Sequence, residues 1–317
     1  MMNDLDPREH IWAQRYRPKK VDDCILPDRI KTLIKSEIAK GEIPHLIFSG
    51  GPGMGKTTLA YAIANELGSD VMYINASLEN GIDVLRSKIQ SFAGTVSLSD
   101  SGPKLVILDE SDGTTPALQA ALKGFLEMFS ANCRFIFTCN IKHKIIEPIQ
   151  SRCTIIDFNY TPAERQKVAA QFYKRVIGIL TSNNIEDDKQ VVAKLIERNF
   201  PDFRKTLNEL QRYSSSGKID SEILVDHSGD NLKTLVKFLK EKNFNEMRKW
   251  VAQNEDIEPA TVFRGLYDLA KDNMKNNSLA ELILILANYG YKSAFCLDQQ
   301  INTTACLLEV MTACEWE

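Results

Sequence analysis

Short apolar runs alternate with amphipathic segments through the first half of the chain. Runs that are apolar throughout are typical of strands in a parallel sheet that helices cover on both faces. The alternation of such runs with helical patterns predicts a doubly wound α/β domain. The predicted strands span residues 45–49, 71–75, 105–109, 134–139 and 154–158.

The pattern changes at residues 161–164. Thr161 suits a helix N-cap, Pro162 suits the first helical position, and Glu164 suits the partner in a capping box. From this point to the C terminus only helical patterns are recognised, and no strand is predicted. The helical part divides near 229, which predicts domains over residues 1–159, 160–229 and 230–317.

The last predicted domain carries apolar stripes but no motif associated with catalysis. Its stripes follow the 3.6-residue period of a helix. They consist of Leu232, Leu235, Val236 and Leu239, and of Leu279, Leu282, Ile283 and Leu286. A helix bundle and an oligomerisation collar are both open interpretations of this segment.

A complete phosphate-loop motif, G-x-x-x-x-G-K-[ST], spans residues 50–57. It follows the first predicted strand and precedes a helical pattern, which is the setting that this motif requires. Lys56 is predicted to contact the outer phosphates, and the Thr57 hydroxyl is predicted to bind Mg²⁺. Small residues let backbone N–H groups converge on the phosphates. The predicted nucleotide contacts of this loop are Gly51, Pro52, Gly53, Met54, Gly55, Lys56, Thr57 and Thr58.

Two carboxylates follow the apolar run that begins at Lys104. Parallel sheets bind ligands at the carboxyl ends of their strands, so both side chains are predicted to face the phosphate loop. Asp109 is predicted to hold Mg²⁺ through water, and Glu110 is predicted to orient or deprotonate the attacking water. The alternative, an ordinary strand followed by a solvated acidic turn, is disfavoured by the phosphate loop upstream.

Composition narrows the class of protein. The 317 residues are 44% hydrophobic and 26% charged, values typical of a globular protein with two or three domains. Seven scattered cysteines indicate a reducing compartment, and no apolar stretch is long enough for a membrane span. The polar, acidic start does not fit a signal peptide, so a cytoplasmic location is expected. With a net charge of −3, any nucleic-acid contact must rest on a few residues.

Three further polar residues have alternatives that their local sequence leaves open. Asn140 follows a predicted strand and can contact the γ-phosphate or simply form a turn, and the turn is favoured on this residue alone. Arg152 follows a helical stretch, where a lone arginine is usually solvated. Arg204 opens a helix, with Pro201 predicted near its first turn, and can reach a bound nucleotide or face water.

Several strings together resemble the sliding-clamp-loader ATPases of the AAA+ class, such as the small subunits of replication factor C. These strings are IPHLIFSGGPGMGKTT, INASLENGIDVLRSKIQSFA, KLVILDES and FTCNIKHKIIEPIQSRC. The N-terminal WAQRYRPKKVDDCI fits as well, because this family has a Tyr-Arg-Pro near its adenine pocket. NFPDFRKTLNEL and the Trp-ending tail are more similar to the large clamp-loader subunit of T-even-type phages.

The resemblance implies an AAA+ ATPase domain at 1–159, a helical lid at 160–229 and a helical collar at 230–317, with ATP and Mg²⁺ as cofactors. It implies that Asn140 is the first sensor and Arg204 the second. Arg152 is implied to be an arginine finger that reaches the nucleotide of a neighbouring subunit. The residues implied at the adenine side are Tyr16, Arg17, Pro18 and Ile25.

The resemblance also implies contacts with DNA. Arg86 matches a family position that faces DNA, and Lys88 is a second choice. Gln119 is either a link between bound DNA and the Asp109–Glu110 loop or an ordinary, partly exposed helix residue.

The function expected from this resemblance is ATP-driven loading of a ring-shaped sliding clamp at primer–template DNA, including viral DNA replication. The expected assembly is a pentameric hetero-oligomer with other clamp-loader subunits, linked indirectly to DNA polymerase, without a membrane. For a phage protein, the expected location is the bacterial host cytoplasm. The alternatives are a nucleotide-binding subunit that does not hydrolyse, or another AAA+ remodeller such as a Holliday-junction helicase or protein unfoldase.

Overall fold

The computed structural model describes residues 11–77, 82–95, 102–215, 217–220, 223, 227–255, 257–271 and 273–316. The chain forms two compact units, which comprise residues 1–224 and 225–317. The predicted domain boundaries at 159 and 229 stay predictions.

A five-stranded parallel sheet organises the first unit, in the order β2-β3-β4-β1-β5. Each strand begins and ends within one residue of its predicted position, and the α/β fold class is confirmed. The strands are β1 (Leu46–Ser49), β2 (Val71–Asn75), β3 (Lys104–Asp109), β4 (Cys133–Cys139) and β5 (Thr154–Asp157).

Helices cover both faces of this sheet. One face packs against side chains such as Ile30 and Ile63, and the other against side chains such as Leu85 and Leu122. This double burial explains why the central strands are apolar throughout. The helices of the first unit are α1 (Trp12–Arg15), α2 (Asp28–Ala39), α3 (Lys56–Leu67), α4 (Ile82–Gly94), α5 (Pro116–Met128), α6 (Glu147–Gln150), α7 (Pro162–Ser182), α8 (Lys189–Asn199) and α9 (Phe203–Ser214).

The helices α7, α8 and α9 form the small helical part of this unit. The predicted capping box is present: the Thr161 hydroxyl accepts from the Glu164 backbone, and the Glu164 carboxylate accepts from the Thr161 N–H at 2.9 Å. The prediction that no strand occurs beyond this point was wrong. Strands β6 (Glu186–Asp187) and β7 (Lys218–Ile219) pair in parallel. Two-residue strands are too short to leave a period-two pattern in the sequence.

The second unit is helical, as its apolar stripes predict. Leu235 and Leu282 are fully buried in its core, but Ile283, which was placed in the same stripe, is 44% exposed. The helices are α10 (His227–Lys240), α11 (Phe244–Gln253), α12 (Pro259–Ala270), α13 (Asn276–Ser293) and α14 (Gln299–Ala313). Within the described residues, no helix is both long enough and apolar enough to cross a membrane.

Candidate active site

The loop between β1 and α3 has the backbone shape of a phosphate cradle. Gly53 and Gly55 have φ angles of 70° and 90°, a region that side chains disfavour. At Gly53 a Cβ atom would also lie 1.8 Å from the Asp202 carboxylate. Since α3 begins at Lys56, its N-terminal N–H groups add to the anion site. The Met54 side chain is buried in the core on one face of the sheet.

The Lys56 ammonium group lies within this loop. Its Nζ donates to the carbonyls of Gly50 and Gly51, both at 2.7 Å, and to Asn140 Oδ1 at 2.9 Å. Burial lowers the pKa of Lys56, while nearby groups that include Asp109 oppose this shift. The structure therefore brings Asn140 to the phosphate loop, and the interpretation of Asn140 as a simple turn residue is not supported by its contacts.

Three hydroxyl groups surround the Asp109 carboxylate at the end of β3. Thr57 donates to Oδ1 at 2.9 Å, Thr138 also donates to Oδ1, and the Tyr73 hydroxyl donates to Oδ2 at 2.9 Å. Partial burial and then the charge of Asp109 raise the pKa of Tyr73, which keeps its hydroxyl protonated.

The oxygen groups of Thr57 and Asp109 fit Mg²⁺, which is typically bound by one or two protein oxygens together with substrate phosphates. Among the described residues, no group of three or more His, Cys, Asp and Glu side chains is arranged to bind a metal. Two protein oxygens of this kind suit a metal that arrives bound to a nucleotide.

Glu110 occupies an unusual backbone position directly after Asp109. Its φ angle is 55°, in the left-handed region that few residues other than glycine adopt. The hydroxyl of Ser77 lies 2.5 Å from Glu110 Oε2 and 2.7 Å from Asn75 Oδ1. A hydroxyl has one proton, so Ser77 donates to one of these oxygens at a time. When Ser77 donates to Glu110, this hydrogen bond restricts the orientation of the Glu110 carboxylate in the cleft.

A cleft of about 680 Å³ opens beside the phosphate loop. Its volume suits a small-molecule ligand of nucleotide size. The predicted residues that line it are Tyr16, Arg17, Pro18, Ile25, Gly53, Met54, Gly55, Lys56, Thr57, Thr58, Asp109, Glu110 and Arg204. The sequence predictions missed several lining residues from other elements, notably Tyr61, Tyr73, Arg175 and Asn208. The helical spacing of Tyr61 from Thr57 and Thr58 could have indicated the first of them.

The start of α9 contacts the phosphate loop directly. The Phe203 N–H donates to the Gly53 carbonyl at 3.1 Å, and Arg204 lines the cleft. Pro201 lies directly before the N-cap of this helix, Asp202, whose carboxylate accepts from the Lys205 N–H at 2.9 Å. An aspartate at the N-cap supplies a side-chain oxygen that accepts from a free N–H of the first helical turn, whereas a proline there has no such acceptor.

Arg152 does not line the cleft of its own chain. Its Nε and Nη2 atoms donate to Glu127 Oε1 at 2.8 and 2.5 Å, and its Nη1 donates to the Pro148 carbonyl at 2.8 Å. The side chain remains 34% exposed. The guanidinium is thus held at the surface, where another molecule can reach it.

Gln119 is only 3% exposed, so it is not the partly exposed residue that one alternative assumed. Its Oε1 accepts from the Ile146 N–H at 2.7 Å, and its Nε2 donates to the Lys144 carbonyl at 2.9 Å. Gln119 therefore joins α5 to the segment before α6. Whether DNA acts through this contact stays a prediction.

Arg86 and Lys88 lie on the exposed side of α4. Asp83, the acidic neighbour that could have paired with Arg86, has a side chain outside the described part of the structure. Of the carboxylates that the structure describes, none pairs with Arg86. The side chain is thus accessible, although its contact with DNA stays a prediction.

A parallel sheet with this phosphate loop, carboxylate pair and lid helix defines an ATPase of the AAA class. A model of the ATPase family associated with various cellular activities matches residues 46–160, and one described as the sliding-clamp-loader large subunit, AAA+ ATPase lid domain, matches residues 164–225. The sliding-clamp-loader large subunit of Escherichia phage RB69 is 36% identical over 90% of this chain and 95% of its own length. The chain belongs to the family of sliding-clamp-loader large subunits and replication factor C small subunits.

Further relatives extend this comparison. The sliding-clamp-loader large subunit of Enterobacteria phage T4 is 39% identical over 77% of this chain and 78% of its own length. The replication factor C small subunit of Archaeoglobus fulgidus is 34% identical over 84% of this chain and 87% of its own length. The predicted family is confirmed.

Among solved structures, the RuvB Holliday junction branch migration motor of Thermotoga maritima resembles this chain with a TM-score of 0.55. It covers 77% of this chain, and 87% of its own length is matched, at 18% identity. A likeness at this level of identity shows the AAA+ fold and not a shared substrate.

Proposed function

We propose that this chain is a motor subunit that uses Mg²⁺-ATP to open a ring-shaped sliding clamp and load it at primer–template junctions during DNA replication. The observation that supports this most is a cleft lined by Lys56, Thr57 and Glu110 in a chain that matches clamp-loader subunits over nearly its full length. The presence of Glu110, Thr57 and Arg152 disfavours a subunit that binds nucleotide without hydrolysis.

The proposed roles follow from positions in the cleft. Lys56 binds the outer phosphates, and Asn140, which contacts Lys56, orients the γ-phosphate end of the site. Thr57 and Asp109 hold Mg²⁺, which neutralises charge that develops on the phosphates. Glu110 orients and polarises the attacking water once Ser77 releases it. Arg204 brings the lid onto the nucleotide, because α9 already contacts Gly53.

The proposed partners are a sliding clamp, primer–template DNA and further clamp-loader subunits in a pentameric hetero-oligomer, with DNA polymerase as an indirect partner. Residues 160–229 act as the lid and residues 230–317 as the collar that joins subunits. Exposed apolar side chains on the second unit support the collar role, because patches of this kind mark interaction surfaces. They include Leu284, Tyr291, Phe295, Leu297 and Ile301. The proposed location is the cytoplasm, that of a bacterial host for a phage protein.

ATP turnover by the assembled protein tests this function. We expect primed DNA together with the cognate clamp to stimulate hydrolysis, whereas a four-way DNA junction of equal length and concentration should not. The Lys56→Ala variant controls for contaminating ATPase. If the four-way junction stimulates hydrolysis and the clamp does not, the proposed clamp-loading function is wrong. The chain would then act as a branch-migration motor, a class with a similar fold.

Arg86 is predicted to contact a DNA phosphate from the exposed side of α4. Each phosphate contact releases about one counterion, so each lost contact lowers the slope of log K against log salt by about 0.9. Since the residue is repeated over several subunits, Arg86→Ala should lower this slope by more than about one unit. DNA stimulation of hydrolysis should fall while basal ATPase persists.

Fluorescence anisotropy of labelled primed DNA over a salt series measures this slope. Lys88→Ala tests the second predicted contact, and Lys189→Ala, which removes an exposed charge from α8, is the matched control for net charge. An unaltered slope in Arg86→Ala, with full DNA stimulation, would move the DNA surface away from α4.

A further inference from the structure

We propose that Tyr73 is a positioning residue that holds the Asp109 carboxylate in the orientation needed to bind Mg²⁺. The inference rests on the proposed use of Mg²⁺-ATP and adds a residue from a neighbouring strand to that site. Tyr73 was not among the predicted site residues. It is absent from the phosphate loop and from the Asp109–Glu110 motif, and it lies on β2 at the edge of the sheet.

The strand register explains why this side chain reaches the site. Asn75 of β2 pairs with Asp109 of β3. Successive side chains along a strand point to opposite faces, so Tyr73 and Asn75 share one face with Asp109. A tyrosine two residues before the register partner is long enough to place its hydroxyl at the end of the next strand. The observed distance from the Tyr73 hydroxyl to Asp109 Oδ2 is 2.9 Å.

The two oxygens of Asp109 have different donors. Thr57 and Thr138 both donate to Oδ1, whereas Tyr73 donates to Oδ2. A hydroxyl can bind a metal through an oxygen lone pair and still donate its proton, so the Thr57 bond to Oδ1 is compatible with a bound metal. Tyr73 is the side chain among the described residues that donates to Oδ2, and together with the donors on Oδ1 it fixes the rotation of the carboxylate. All three hydroxyls are neutral donors, so they leave the negative charge of Asp109 available to the metal.

The ring of Tyr73 is itself held in place from outside β2. It stacks on Tyr61 of α3 with ring centroids 5.9 Å apart and planes at 23°. The Arg17 guanidinium lies 5.0 Å from the centroid of the Tyr61 ring, and its Nε donates to Thr58 Oγ1 at 3.3 Å. These contacts remain when the hydroxyl alone is removed. Tyr73→Phe therefore isolates the bond to Asp109 from the packing of the ring.

Binding of the slowly hydrolysed analogue ATPγS to the full chain, measured by calorimetry over a series of MgCl₂ concentrations, tests this role. Groups that orient metal ligands typically contribute 10- to 100-fold in metal affinity. MgCl₂ should increase the affinity for ATPγS in both proteins. We expect Tyr73→Phe to raise the MgCl₂ concentration that gives half of this increase by about 10-fold. Binding without MgCl₂ and the melting temperature should stay at the parent values. A purely structural role would alter both of these instead.

Two further variants sharpen the test. Tyr160→Phe is the matched control, because it removes a buried hydroxyl that has no hydrogen-bond partner among the described residues. Its MgCl₂ titration should overlay that of the parent. In an Asp109→Asn background, Tyr73→Phe should cause no additional shift, since its effect acts through the carboxylate.

The outcomes separate this inference from the proposed function. If the parent responds to MgCl₂ and Tyr73→Phe responds identically, the positioning role is overturned while the proposed function stands. A shift of equal size in the Asp109→Asn background would also overturn it. If the parent binds ATPγS with one affinity at every MgCl₂ concentration, both the positioning role and the proposed metal dependence fail.

Discussion

Replacement of Arg152 by alanine is expected to lower ATP turnover in the assembled protein by about 10³-fold, the scale of a lost arginine finger. Arg152 does not line its own cleft and is held at the surface by Glu127 and the Pro148 carbonyl. Binding of nucleotide to the isolated chain should therefore be unaffected, because the lost group is predicted to act on a neighbouring site. Steady-state turnover and calorimetric binding measure the two effects separately.

A mixing experiment tests whether Arg152 acts between subunits. Arg152→Ala subunits retain a complete phosphate loop, and Lys56→Ala subunits retain the arginine. If Arg152 acts in trans, mixed assemblies contain interfaces where an intact cleft meets an intact arginine, and they should hydrolyse faster than either variant alone. Activity that equals the weighted sum of the two variants at every mixing ratio would show that Arg152 serves its own chain.

Glu110→Gln is expected to lower turnover by about 10²-fold or more, within the range of general-base effects, and to leave ATP binding intact. Glutamine has nearly the same shape as glutamate, and its amide oxygen can still accept from Ser77, so the loop geometry should persist. The amide cannot draw a proton from water. Single-turnover hydrolysis, measured beside the affinity for ATP, distinguishes loss of chemistry from loss of binding.

Glu42→Gln provides the matched control for this substitution, because it neutralises an exposed carboxylate that lies before β1. Its turnover should equal that of the parent. Hydrolysis by Glu110→Gln within a factor of two or three of the parent rate would exclude Glu110 from the mechanism, and Asp112 would become the next carboxylate to test.

Much of this fold could be predicted from short-range patterns in the sequence. The apolar strands, the capping box at Thr161 and the glycines of the phosphate loop each depend on neighbours a few residues away. The carboxyl-end rule for parallel sheets then brought Asp109 near Thr57, and the 2.9 Å contact agrees with it. Such features can be read from a single sequence because their physical cause lies within one element or one loop.

Features that depend on distant partners were missed. The burial of Gln119 follows from backbone groups at positions 144 and 146, which the sequence of α5 does not reveal. The bond between Tyr73 and Asp109 depends on which strands are neighbours and in which register. Ile283 lies at a helical spacing that suits the core, but the core of the second unit leaves it exposed because its neighbours cover only part of α13.

Two side chains of helix α5 form hydrogen bonds with the segment that carries Arg152. Gln119 binds the backbone before α6, and Glu127 binds the guanidinium itself. The two attachments are eight residues apart, or about 12 Å along the helix axis, so a displacement of α5 would displace Arg152 with it. If Arg152 acts on a neighbouring subunit as predicted, a packing defect under α5 would damage that subunit's cleft more than its own. In genetic terms, such a lesion would be dominant: one faulty copy would disable a healthy copy beside it.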